Sequence, residues 1–148
     1  MIALIGSALV PWLREAFTER RAERRRIDRA KEQAIKDIVH ALTKLAGSYA
    51  TLEPDERLRQ EEAVQDALTS LELILTLKEQ PIASLLEQAF RDAATQDPSL
   101  RAVSKGATPP VLGAWFRGGV TPEEALAMYD RHRAKSLEDD AAAAAAAE

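Results

Sequence analysis

The residues best placed to do chemistry are the arginines of the stretch TERRAERRRIDRAK, residues 18–31. Guanidinium groups stay charged and bind carboxylates and phosphates. On a helical wheel stepped at about 100° per residue, Arg14, Arg20, Arg21, Arg24 and Arg25 fall within one arc of roughly 140°. Glu15, Glu19 and Glu23 fall on another side, and Arg26 is the exception. Three uses fit such a face. It can be a solvated helix with i, i+4 ion pairs. It can contact an acidic protein surface or anionic lipid headgroups. It can contact nucleic-acid phosphates, which the net charge of −4 makes the least favoured of the three.

Other candidates carry less chemistry. His40 and His132 are the only histidines, and neither has a partner at a metal-ligand spacing such as H-x-x-x-H. Glu61–Glu62 and Asp139–Asp140 are adjacent pairs; on a helix their members diverge by about 100° and cannot cooperate as acid and base. There is no cysteine, which removes disulfides, thiolate metal sites and a thiol nucleophile. No glycine-rich phosphate loop and no G-x-S-x-G occurs. Nothing calls for a metal or cofactor, and the expectation is a protein that is not an enzyme.

Two aromatic positions complete the candidate contact residues. Trp12 lies at the junction between an apolar opening, MIALIGSALVPWL, and the basic stretch, and an indole is favoured at a membrane interface. Trp115 and Phe116 either close one end of the core or belong to a subunit contact. Residues 102–118 have a faint helix-turn-helix cadence. Pro109 and Pro110 speak against it, because they remove backbone N–H groups where a recognition helix would begin.

These side chains must be positioned by helices. Hydrophobic residues make up 46% of the 148 residues and aromatics only 5%, so Leu, Ile, Val and Ala must build the core of what reads as a single domain. Neither Pro nor Gly occurs between Trp12 and Ala46, which predicts one long helix starting after Pro11. Its apolar stripe is Ile27, Ala30, Ala34, Ile35, Ile38, Ala41, Leu42 and Leu45. Arg20 and Arg24 share the azimuth of Ile38 and Leu42, so arginine replaces the core face toward the N-terminus and the helix is expected to leave the core there. A second helix is predicted over 54–79, with Leu58, Val64, Ala67, Leu68, Leu71, Ile74 and Leu75 inward. A third is predicted over 82–96. Residues 97–110 read mostly as loop, with a short turn near 110–116. A last helix over 121–138 opens on a capping box, Thr121 to Glu124. The tail DDAAAAAAAE either extends that helix or hangs free.

The fold class is therefore all-α: a long antiparallel helical hairpin with two or three shorter packed helices. The division is an apolar segment at 1–13, an Arg-rich arm at 14–26, a helical domain at 27–138 and a tail at 139–148. Charge is graded along the chain. Residues 1–52 carry +4, residues 53–100 carry −7 and residues 101–148 carry −1. The arginines and the acidic cluster Glu53, Asp55, Glu56, Glu61 and Glu62 lie at opposite ends of such a hairpin, so any meeting between them is between subunits. The expected function is structural: self-association, or docking on a larger assembly such as a virion. The alternative is peripheral attachment to an anionic membrane, since about 13 helical residues span only about 20 Å and do not cross a bilayer. A cytoplasmic location, or one inside an assembly, is expected, with no signal peptide.

Overall fold

The computed structural model describes the backbone of residues 6–146 and the side chains of residues 18–146. The fold is all-α: five helices and no strand among the described residues. They are α1 (Gly6–Ser48), α2 (Pro54–Glu72), α3 (Gln80–Ala93), α4 (Pro98–Phe116) and α5 (Pro122–Ala146).

α1 starts at Gly6, earlier than the sequence predicts, and passes through Pro11. Pro11 lies in the second turn of this helix, so it withholds one backbone donor from the carbonyl of Ser7. Among the described side chains of α1, the first buried one is Ala34, followed by Ile35, Ile38, Leu42, Leu45 and Ala46. Ile27 and Ala30, expected in the stripe, are exposed. The reason is the length of the neighbouring segment. Ser48 Oγ meets Gln60 Oε1 at 3.2 Å, and Lys31 Nζ donates to Glu79 at 2.8 Å. The chain from Gln60 to Glu79 thus runs alongside α1 in the opposite sense and ends level with Lys31, so Ile27 and Ala30 lie before the packed segment.

α2 begins with Pro54 in its first turn and with Asp55 and Glu56 near the positive end of the helix dipole. It buries Val64, Leu68 and Leu71. Leu58 lies about 110° from that face on the wheel and is 56% exposed, contrary to expectation. The helix stops at Glu72, not at 79. A 3-10 turn over Leu77–Glu79 follows, opened by a capping box between Thr76 and Glu79. Pro81 then sits in the first turn of α3.

α3 is the hub. It packs on all four other helices, and its apolar face, Ile82, Leu85, Leu86, Ala89 and Ala93, is buried.

The expected loop over 97–110 is helix. Asp97 caps α4 by accepting from the N–H groups of Ser99 and Leu100 at 2.9 and 3.3 Å, and Pro98 occupies the first position. Pro109 and Pro110 lie inside this helix, at about 3 kcal/mol each relative to alanine. Val103, Val111, Leu112 and Trp115 are buried on its inner side, each contributing about 1.5–3 kcal/mol, enough to offset the prolines. The carbonyls that lose donors belong to Lys105 and Gly106, both exposed residues that water can reach. With one unbroken helix from Pro98 to Phe116, the helix-turn-helix cadence of 102–118 has no turn.

α4 ends in a Schellman motif. Gly118 has φ +74°; its N–H donates to Trp115 O at 2.8 Å, and the N–H of Gly119 donates to Ala114 O at 2.9 Å. The Thr121 capping box is formed, with Thr121 N–H donating to Glu124 at 2.7 Å and Glu124 N–H to Thr121 Oγ1 at 3.2 Å. α5 continues to Ala146, absorbing the alanine tail as exposed helix.

Candidate functional site

The predicted contact residues separate into three groups. Arg20, Arg21, Arg24 and Arg25 stand on α1 before the core begins, and every residue from Thr18 to Ala30 is exposed. Within this arm the ion pair described is Arg26 to Glu23 at 3.9 Å, with both side chains largely in water. The side chains of Trp12 and Arg14 lie outside the described residues, as does the segment 1–5. Trp115 is 8% exposed and belongs to the core, whereas its neighbour Phe116 faces outward. The two aromatics therefore do not form one surface, and the buried Trp115 is separate from the arm.

The root of the arm is pinned. Lys31 Nζ donates to both oxygens of Glu79, at 2.8 and 3.1 Å. Glu79 Oε2 also accepts from the N–H and the hydroxyl of Thr76, both at 2.9 Å. Partial burial raises the Glu79 pKa, but the hydrogen bonds from Lys31 and Thr76, with the Lys31 charge, outweigh it. The carboxyl is held below its ordinary value. One carboxylate thus ties α1, the turn at Thr76 and the start of α3 together, and fixes where the arm departs.

A second polar constellation was not anticipated from the sequence. Asp92 of α3 is 1% exposed. Its Oδ2 accepts from Tyr129 Oη at 2.9 Å. Arg133 Nε donates to both oxygens, at 3.0 and 3.2 Å, and Gln88 Nε2 donates to Oδ1 at 3.1 Å. Nearby, Ser104 Oγ donates to Ala89 O at 2.7 Å. Burial, then the Asp92 charge and hydrogen bond, push the Tyr129 hydroxyl well above its ordinary pKa of 10.0, so it stays a neutral donor. Both oxygens of Asp92 are engaged by donors, which suits a carboxylate that locks α5 onto α3 better than one that moves protons. The sequence did hold a signal. Asp92 follows Ala89 by three residues on the apolar face of α3, and a charge there needs partners.

The clefts are open and shallow. One of about 390 Å³ between α1 and α2 is lined by Ala41, Lys44, Glu56, Arg59, Gln60 and Ala63. It offers charges of both signs and no hydroxyl or thiol side chain. Among the described residues no group of three His, Cys, Asp or Glu side chains could hold a metal ion. His40 and His132 are both exposed. No helix among the described residues is long and apolar enough to cross a membrane. No protein-family model matches the chain, and no match was found among curated proteins or solved structures.

Proposed function

We propose that this chain is a non-enzymatic interaction protein, in which the five-helix bundle is a platform and the N-terminal part of α1 is the contact element. One observation supports this reading above the rest: α1 runs as helix for 28 residues, Gly6 to Gln33 by number, before Ala34, the first of its described side chains to be buried. At about 1.5 Å per residue that is roughly 42 Å of helix. Over residues 18–30 it is wholly exposed and carries six arginines. Holding so charged a helix away from the core serves contact with something else.

The test separates folding from contact. Ile38, fully buried, is changed to Asp, and this variant should lose its helical circular dichroism. The quadruple variant R20E/R21E/R24E/R25E should keep the wild-type spectrum and thermal midpoint. It should lose the self-association seen by light scattering or the binding to anionic vesicles, whichever the wild type has. A quadruple variant that keeps every association of the wild type rules the reading out.

Lipid is the second reading, and it has its own support. α1 joins Leu9, Val10, Trp12 and Leu13 to the arginines in one continuous helix, the layout of an interfacial anchor. Flotation with anionic vesicles tests it directly.

A further inference from the structure

We infer that the arm of one copy docks on the outward face of α2 in a second copy. This rests on the reading of the arm as a contact element and names its partner.

The outward face of α2 is built like a contact surface. Asp55, Glu62 and Asp66 fall within about 40° of one another on the wheel, on the side opposite buried Val64, Leu68 and Leu71. All three are exposed. Leu73 continues the same stripe and is 84% exposed; Leu58 flanks it. Leu77, 89% exposed, stands just past the end of the helix. Three of the six large hydrophobic side chains exposed among the described residues thus lie on α2 or the turn that follows it. A fourth, Ile27, lies on the arm. Single exposed leucines are ordinary, but leucines on a stripe of carboxylates suit a helix that presents arginines and apolar groups together.

The charges are complementary. Residues 53–72 carry seven acidic and two basic side chains, a net of −5. Arm residues 18–30 carry six basic and three acidic side chains, a net of +3. Among the described residues, none of the ion pairs involves a carboxylate of α2. The lengths agree too: α2 has 19 residues, about 28 Å, and the arm from Gly6 to Ala30 is about 37 Å at the same rise.

The contact cannot be made within one chain. Lys31 sits level with Glu79, beyond the end of α2. The arm departs from there, and no Pro or Gly between Trp12 and Ala46 lets it fold back. Asp55 and Asp66 are therefore out of reach of their own arginines. Because each copy carries both elements, a reciprocal exchange closes as a two-fold dimer.

The experiment is a charge swap on the full chain, read by light scattering after size exclusion, with circular dichroism to verify the fold. The wild type should run at twice 16.2 kDa. R20E/R21E/R24E/R25E places like charges together, and so does D55R/E62R/D66R. Each alone should be monomeric, with dimerisation weakened roughly a hundredfold or more. Mixed, the two variants present opposite charges at both contacts and should regain the dimer mass. A dimeric wild type whose variants stay dimeric, or whose mixture stays monomeric, overturns the inference. So does a monomeric wild type. In that last case vesicles of phosphatidylserine and phosphatidylcholine divide the failures. If arm reversal abolishes vesicle binding, the second copy is wrong and the arm remains a contact element. If the wild type binds no vesicles either, both readings fall.

Discussion

Asp92 shows how one buried charge sets the arrangement of two helices. Its carboxylate is held by Tyr129, Arg133 and Gln88, and removing one donor leaves a buried acceptor unpaired. Tyr129→Phe should destabilise the fold by about 1.5–3 kcal/mol, the range for hydrogen bonds to charged groups, measured by urea unfolding. The same hydroxyl sets an alkaline limit. Its folded pKa lies above the unfolded value of 10.0, so its contribution is complete below pH 10. Above pH 10 the unfolded chain releases the proton first, and stability falls by about 1.4 kcal/mol per pH unit. The wild type should therefore lose stability relative to Tyr129→Phe as pH rises beyond 10; parallel curves would contradict this. Of this constellation the sequence exposes only Asp92 on an apolar face. Its partners Tyr129 and Arg133 come from α5, across a tertiary contact that no local spacing encodes.

At the scale of elements, legibility follows capping. Thr121 and Glu124 predict the start of α5, and the structure forms both bonds. Thr121→Ala should cost about 1 kcal/mol, visible as a lower thermal midpoint with an unchanged spectrum. An equivalent signal at Thr76 and Glu79 marks the restart before α3. Apolar periodicity through Ile74 and Leu75 runs past that signal, which is why the expected second helix extends beyond the observed end at Glu72. The α4 region reads as loop when Gly106, Pro109 and Pro110 are weighed as breakers. It folds as helix because Asp97 supplies the cap and the inner face, Val103 to Trp115, is buried. Local propensity there is overruled by packing, and packing is not visible in a single segment.

For the whole molecule, the transition along α1 from arginine to core stripe is readable in the sequence, because it depends only on the order of residues along one helix. Its position is not. The boundary falls at Ala34 rather than Ile27 because Glu79 ends the packed segment at Lys31. At the other end of the chain, Ala141 to Ala146 extend α5 as exposed helix. Deleting residues 141–148 should change unfolding free energy by less than about 0.5 kcal/mol. A larger loss in chemical denaturation would mean that the alanines touch something.

Because α1 is continuous, the arm does not have to start a helix on its own. The costly first turn of helix formation is already supplied by residues 34–46, held in the core, and order propagates outward from there toward Gly6. Any partner that grips the arm then meets a ligand whose conformational entropy has largely been removed in advance. Substitutions deep in the bundle that loosen α1, far from every exposed arginine, should weaken that grip by returning the arm to the coil.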